Sequence, residues 1–414
     1  MKRLLLVAPP FPGHLFPLID IGKHLRRRGH EIAFATGSEW TPLLRRLDFE
    51  TYGLLPGNPA ALKAVADTQV KVGSNPLRLA RQLSANLDVL PAASADLRRA
   101  VRAFRPDALL ADFTAPVAGP IAAAAGIGWL TTMPTPFAIE TRTGTPSYCG
   151  GWSPPEGPLG RVRDAAGRAT IRAFKLAVSA AFAPRMRPLG LAAYRQDGTE
   201  GAYSPTAILG LGLSELEFDR DWPAALQLVG PVTAAPEARG VPGFLDADAT
   251  RVLVSVGTHL PWVKRILVER VLALARLRRG VEFVVTMGRP DGDAERVERI
   301  APNVLLSDFL AYDEVLHRFA AVIHHGGAGV SYSTLRAGLP ALVWPQDYDQ
   351  FDFAARLVHA GVGLRVRQVG ARSAGALDEV LAGLDRAASA RLQAAVRASD
   401  PCGAVDSAIR RALA

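Results

Sequence analysis

The segment AVIHHGGAGVSYSTLRAGLPALVWPQDYDQ, residues 321–350, constrains the fold more than any other part of the chain. A β-branched run (Ala321, Val322, Ile323) ends in His324 and His325. A turn rich in glycine (Gly326, Gly327, Ala328, Gly329) follows, then a stretch of helical spacing, then a second apolar run from Ala341 to Trp344, closed by Pro345. This order predicts a strand, a tight turn, a helix and a parallel strand. The helix start leaves backbone N–H groups without intrahelical partners, and glycines keep bulky side chains out of their way. An anion such as phosphate is the ligand such a turn accepts. Glycine alone would equally mark an ordinary turn. The paired histidines before it, and Asp349–Gln350 after the next strand, favour a binding site.

The rest of the chain repeats this alternation. Strands are predicted at residues 4–8, 31–36, 107–112 and 129–133, with helices at 15–28, 88–104 and 116–125 between them. A second series follows: strands at 251–256, 281–286 and 303–306, with helices at 262–279 and 311–318. Alternation of this kind implies parallel sheets covered by helices on both faces. At 414 residues the chain exceeds what one core normally holds, so two domains of roughly 200 residues are expected. The expected division is 1–216 and 251–395. Residues 217–250, rich in Pro, Gly, Ala and charge, form the crossing, and 396–414 end in a helix. Segments 54–87 and 134–200 lose periodicity, apart from an amphipathic stretch at 161–182, and read as pocket walls.

Composition excludes several classes. No window approaches the ~18–20 uninterrupted apolar residues of a membrane span. The apolar run in MKRLLLVAPP is short and meets Pro-Pro-Phe-Pro-Gly-His with no small-residue cleavage site, so it reads as a buried first strand and not a secretion signal. The two cysteines, Cys149 and Cys402, have neither zinc nor disulfide spacing, consistent with a reducing cytoplasm. The net charge of +9 comes from scattered arginines, with the densest clusters near helix ends where cations suit the dipole. Nucleic acid is therefore not the expected partner, although a basic surface attracts anionic sugar nucleotides or a membrane face.

Together with PPFPGHLFP (9–17), PDALLAD (106–112), VGP (229–231) and SVGT (255–258), the 321–350 segment resembles the inverting nucleotide-sugar glycosyltransferases of the GT-B fold. The likeness is to the bacterial branch acting on natural products, related to the UDP-glucosyl- and glucuronosyltransferases. It implies an α/β protein of two Rossmann-like domains facing across a cleft, the first for the acceptor and the second for the donor. It also implies that the last helix packs back on the first domain.

The resemblance assigns His14 as the general base and Asp112 as its partner. An imidazole accepts a proton near neutrality, and a carboxylate on its other nitrogen fixes the tautomer and stabilises the imidazolium. Asp112 read without the resemblance could instead cap the helix that follows. The donor side is expected to use Thr258, Phe309, Leu310, His325, the amides of Gly327, Ala328, Gly329 and Val330, and the sugar-contacting pair Asp349 and Gln350, with His324 turned into the sheet. Read blandly, that pair would be a solvated loop. The acceptor wall is assigned to Phe11, Phe113, Phe137, Tyr148 and Trp152.

Neither a metal nor a cofactor is expected, since an N–H cluster can take up the leaving group's charge and the chain has no Asp-x-Asp motif. Three positions depart from the family pattern. Phe309 and Tyr312 replace a Trp and a Gln, Val330 replaces a hydroxyl residue, and Ser333 replaces the glutamate that grips the ribose in uridine enzymes. A thymidine-diphosphate sugar is thus favoured over a UDP-sugar, because specificity follows placed polar partners. The expected partners are that donor and a hydrophobic acceptor, with the protein a monomer or homodimer. Alternatives are a nucleotide-sugar 2-epimerase, a non-catalytic activator of a partner enzyme, and a transferase working on a lipid-linked acceptor at a membrane surface.

Overall fold

The computed structural model describes residues 1–413 except 67, 74, 234, 236, 238, 247 and 290–295, with the backbone alone at 63 and 66. The first half runs β1 (Arg3–Val7), α1 (Pro12–Arg27), β2 (Glu31–Gly37), α2 (Thr41–Arg46), β3 (Glu50–Leu54), α3 (Pro59–Ala66), α4 (Pro76–Phe104), β4 (Ala108–Asp112), α5 (Ala118–Ala125), β5 (Gly128–Met133), α6 (Gly157–Met186), β6 (Ile208–Gly210) and β7 (Leu226–Leu228). The second runs β8 (Arg251–Ser255), α7 (Pro261–Ala275), β9 (Glu282–Thr286), β10 (Val297–Ala301), β11 (Val304–Ser307), α8 (Tyr312–Val315), β12 (Ala321–His324), α9 (Ala328–Ala337), β13 (Ala341–Val343), α10 (Gln350–His359), β14 (Gly363–Arg365), α11 (Ala374–Ala382), α12 (Arg386–Ala398) and α13 (Pro401–Ala412).

Among the described residues these strands form two seven-stranded sheets. The first has the order β3-β2-β1-β4-β5-β6-β7 and is parallel throughout. The second has the order β10-β11-β9-β8-β12-β13-β14, and in it β10 pairs antiparallel with β11. Strands buried on both faces read as nearly continuous apolar runs, as LLLV in β1 and VLV in β8 do. Each sheet has one core on either face, and a further cluster, with Phe137, Leu213 and Phe353, fills the space between the two halves.

In each sheet the strand order reverses beside its first strand. In the first the reversal lies between β1 and β4, and in the second between β8 and β12. Open α/β sheets bind ligands at the carboxyl ends of strands at such a point. His14 follows β1 and Asp112 closes β4. Thr258 follows β8 and His325 follows β12. The two switch points therefore carry the four residues around which the site is built.

Several sequence expectations change. The helix expected from residue 15 begins at Pro12, so His14 lies not before α1 but in its first turn. Proline at a helix start costs no hydrogen bond and presets φ, and this is why a proline-rich run becomes helix. The helix expected from residue 88 begins at Pro76, where the Asn75 side chain accepts N–H bonds from Leu77 and Arg78. That takes part of the 54–87 wall out of the irregular class. The 161–182 stretch is the centre of the longer α6. Strand β10 has no counterpart in the sequence reading. The expected crossing, 217–250, starts later than proposed, because β7 pairs with β6 in the first sheet. Four of that stretch's residues lie outside the described ones.

The final helix α13 packs on α1. Val405, Ala408 and Ile409 are buried in the same core as Leu15 and Leu18. Asp406, nearly buried, accepts from His30 (3.0 Å) and Arg410 (3.1 Å), and the Lys2 ammonium donates to the Leu413 carbonyl.

Candidate active site

His14 Nδ1 lies 3.0 Å from Asp112 Oδ2 and 3.1 Å from Oδ1. Asp112 is buried, and Thr114 fixes its other side, with the Thr114 N–H donating to Oδ1 at 2.9 Å and the hydroxyl donating to the same oxygen. This carboxylate therefore orients the imidazole, and the helix-capping alternative is not how its oxygens are used. Burial disfavours the charged imidazole. Asp112, by charge and hydrogen bond, and Asp349 by charge, outweigh that and hold the His14 pKa above its ordinary value. Nδ1–H directed at Asp112 leaves Nε2 as the basic atom.

Rings surround this pair. Phe113 stands 5.6 Å from the imidazole, and Phe11 6.0 Å from it on another side. Phe11 also meets the edge of His259, 4.9 Å away on the second half, so the walls of the cleft touch here.

Asp349 is the second half's contribution opposite His14. It stands, partly buried, at the N-cap position of α10, and its side chain makes no capping hydrogen bond there. Burial, together with the charge of Asp352, raises its pKa to about 6 against the counter-pull of its own backbone N–H and of His14. Asp349 and Gln350 thus belong to a helix start in the cleft and not to a solvated loop. Gln350 serves the backbone: its Oε1 accepts from the N–H groups of Gln346 (2.8 Å) and Asp347 (3.1 Å).

At the second switch point, His324 is buried in the sheet, its Nδ1 accepting from the Gly326 N–H at 3.0 Å. Burial and the neighbouring His325 push its pKa down to about 3. His325 is held between two glycines. A Cβ at Gly257 (φ +74°) would stand 2.7 Å from its Cε1, and one at Gly327 would stand 2.4 Å from its Nε2. Burial leads the causes that take the His325 pKa to about 4, with His259 and Lys264 adding to it against a hydrogen bond to the Ser255 backbone. The ring is neutral at pH 7. Gly327 precedes α9 with no side-chain cap, and the first backbone bond of the helix is Ser331 N–H to the Gly327 carbonyl. The N–H groups of Ala328, Gly329 and Val330 are thus the orphan donors of a helix start.

Some assigned side chains are elsewhere. Leu310 and Val330 are buried in the core beneath this site, so only their backbone is placed to meet a ligand. Phe137 is fully buried against Phe353 and the Arg356 guanidinium in the inter-domain core, and it is also among the residues that line the cavity beside Tyr148. Trp152 packs on α6, with Arg163 over its ring and Gly167 against its edge. Phe309 is half-buried and carries the Arg239 guanidinium over its ring at 5.0 Å.

Tyr148 does reach the cleft. Its φ of +62° is held by its N–H donating to Asp352 Oδ2 at 2.8 Å, a bond between the two halves. Beside it opens a cavity of about 830 Å³ lined by Tyr148, Tyr203, Trp222, Glu140, Lys175 and Glu200, among others. The Lys175 ammonium bridges Glu140 (2.8 Å) and Glu200 (2.6 Å). The wall is therefore less apolar than the sequence suggested. Sequence reasoning missed this network, and also Asp347, Asp352, His259 and Lys264. Asp347 accepts the N–H groups of Val72 (2.6 Å) and Gly73 (2.8 Å), closing the first half's loop onto the second. Its signal was present in the run Gln346–Gln350, where two acidic residues follow one strand. Among the described residues no three His, Cys, Asp or Glu side chains are grouped to hold a metal ion, and no helix is long and apolar enough to cross a membrane.

Residues 272–407 match the family described as "Erythromycin biosynthesis protein CIII-like, C-terminal domain". The L-demethylnoviosyl transferase of Streptomyces niveus is 28% identical over 384 residues, covering 87% of this chain and 84% of that protein. Among solved structures, the glycotransferase of kitacinnamycin superposes with a TM-score of 0.71 at 22% identity, covering 100% of this chain and 99% of that one. The spinosyn rhamnosyltransferase SpnG complexed with thymidine diphosphate superposes at 0.62 and 22% identity, covering 98% and 99%. Over most of its length the chain is thus similar to glycosyltransferases of bacterial natural-product pathways, and its fold is the GT-B fold of the solved ones.

Proposed function

We propose that this protein is an inverting glycosyltransferase that moves a sugar from a nucleoside diphosphate, with thymidine diphosphate favoured, to a hydroxyl of a natural-product acceptor. The observation that carries the reading is the His14–Asp112 pair at one switch point, facing Asp349 and the open helix start of α9 at the other. A base and an anion cradle opposed across one cleft are what displacement at an anomeric carbon requires.

In the proposed step the acceptor hydroxyl donates its proton to His14 Nε2 as its oxygen bonds to the anomeric carbon. The bond from that carbon to the β-phosphate oxygen breaks, and its electron pair leaves on the diphosphate. Asp112 stabilises the imidazolium as it forms, a general-base contribution of ~10²–10⁴ in rate. The N–H groups of Ala328, Gly329 and Val330 face the charge growing on the leaving group. Attack opposite the departing bond turns an α-linked donor into a β-linked product. No step here calls for a metal, and Asp349 is placed to hold sugar hydroxyls. The TDP preference is supported by the serine at position 333, which is buried, and by the thymidine diphosphate bound in SpnG. The acceptor enters between Phe11, Phe113 and Tyr148, and the mixed lining of the adjoining cavity suits an apolar skeleton bearing polar substituents.

The test is His14→Ala. With a panel of TDP- and UDP-sugars and an aglycone library read by mass spectrometry, turnover should fall at least ~10²-fold. Affinity for the nucleoside diphosphate by calorimetry should stay near that of the parent. Loss of both together would show that His14 holds structure instead.

A further inference from the structure

The cavity beside Tyr148 carries positive charge that its own carboxylates do not balance. One group of charges does match: Lys175 bridges Glu140 and Glu200, and the Arg172 guanidinium meets Glu140 at 3.3 Å. Two other acidic residues of the lining are turned to nearby threonines, Asp221 to Thr143 (2.7 and 3.0 Å) and Asp197 to Thr199 (2.9 and 2.6 Å). Arg168, half-buried one turn before Arg172 on α6, and Arg220, only 8% exposed, also line the cavity. Each donates to a backbone carbonyl, Arg168 to Gly144 and Arg220 Nη1 to Phe137 at 2.6 Å, and among the described residues neither forms a salt bridge. One glycine brings the two together. Gly144 has φ +77°, and a Cβ there would stand 2.6 Å from Arg220 Cγ, while its carbonyl is the acceptor for Arg168.

Arg220 is under-satisfied for a buried cation. Its Nε is buried with no partner, Nη2 has none either, and the Trp222 ring lies 5.0 Å from the guanidinium carbon. The charges acting on it are Arg356 and Arg168 against Glu217 and Asp352, so with Arg220 itself three cations face two carboxylates. Both carboxylates have partners elsewhere, Glu217 in Arg356 at 2.9 Å and Asp352 in the Tyr148 N–H at 2.8 Å. Burial first, then Arg356, brings the Arg220 pKa down to about 10, which leaves it charged at pH 7. A buried charge with idle N–H groups calls for an acceptor.

We propose that Arg168 and Arg220 bind a carboxylate on the acceptor, so that the substrate class is an apolar skeleton bearing an acidic group as well as the hydroxyl to be glycosylated. This deepens the acceptor reading above and rests on it. A guanidinium fork matches the two oxygens of a carboxylate, and the pairing uses N–H groups that the protein itself leaves idle. Ile139, Ile171 and Ile208 line the same cavity and suit the skeleton. Tyr148 connects this cavity with the base. Asp349 acts electrostatically on both Tyr148 and His14, and Asp352 on both Tyr148 and Arg220. An acid anchored at the arginines therefore sets which end of the skeleton turns back towards His14.

The probes are para-hydroxycinnamate and its neutral primary amide, titrated by calorimetry into parent, Arg168→Gln, Arg168→Lys and Arg220→Gln proteins, with thymidine diphosphate titrated separately. The parent should bind the acid about tenfold or more tighter than the amide, as for a hydrogen bond between charged groups. Arg168→Gln and Arg220→Gln should each lose most of that preference while amide affinity holds, and Arg168→Lys should keep part of it. Arg168→Gln, at a half-buried side chain, decides the matter if Arg220→Gln does not fold. A parent that shows no preference for the acid, or binds neither probe, overturns the proposal. So does a preference that survives in the glutamine variants, which is what the chain's general positive charge would give, or an equal fall for acid and amide, which is what a collapsed cavity would give. A parent that binds neither thymidine nor uridine diphosphate would instead overturn the glycosyltransferase reading itself.

Discussion

Asp112→Asn tests the site most sharply, because the replacement keeps size and changes only charge and one donor. In the parent, Oδ1 already accepts twice from Thr114, and Oδ2 is the nearer oxygen to His14 Nδ1, at 3.0 Å. An asparagine keeps its single oxygen on Thr114, since the Thr114 N–H can only donate. Its NH₂ must then face Nδ1. That forces the imidazole into the tautomer with the proton on Nε2, the atom required to be the base. The electrostatic loss adds to this. Two unit charges 4 Å apart at an effective dielectric of 20 interact by about 4 kcal/mol, close to three decades in rate. kcat should therefore drop roughly 10³-fold, while the dissociation constant for thymidine diphosphate changes little. The acid limb of any residual kcat/KM profile should also move to lower pH. His14 must be neutral to act, its pKa is raised in the parent largely by Asp112, and removing that charge lowers it again. Steady-state rates across pH 5–9, with calorimetry on the nucleotide, measure both quantities. A variant retaining kcat within tenfold of the parent, with an unmoved acid limb, would refute the pairing as the source of basicity.

Two further outcomes follow from the same geometry. Asp349 carries a pKa raised to about 6, so its carboxylate, the form proposed to hold sugar hydroxyls, prevails above that pH and is lost as pH falls through it. KM for the sugar donor should rise below about pH 6 in the parent; Asp349→Asn should raise it about tenfold at pH 8 and flatten that limb, leaving affinity for the bare nucleoside diphosphate unchanged. Arg356 is buried with Glu217, Nε to Oε2 3.0 Å, between the rings of Phe137 (4.1 Å) and Phe218 (4.4 Å). Arg356→Met strands a buried carboxylate and should cost about 3–5 kcal/mol in denaturant unfolding, much of it regained when Glu217→Gln is added.

The parts of the site carried by strand ends were legible in the sequence. His14, Asp112, Thr258 and His325 follow apolar runs whose length and spacing locate them, and the parallel topology then brings them to two switch points. Side chains one step further along a turn were not legible in the same way. Phe137 and Phe113 both follow strands of the first sheet, yet one is buried between the halves and the other stands by His14, a difference decided by packing against α10. Tyr148 is placed by a hydrogen bond to a residue 204 positions away, and Lys175 by two glutamates from separate loops. No local periodicity encodes such contacts. The early start of α4 was readable from Asn75–Pro76, a capping residue followed by proline.

The seating of α13 on α1 has a consequence for the order in which the protein is made. Translation delivers the strands of the first sheet early, but the apolar surface of α1 waits for Val405, Ala408 and Ile409 before it is covered. The half that carries His14 is thus made before the second half yet sealed after it. Throughout synthesis of the second half it stays open on one flank, and the buried His30–Asp406 contact closes only once α13 is available.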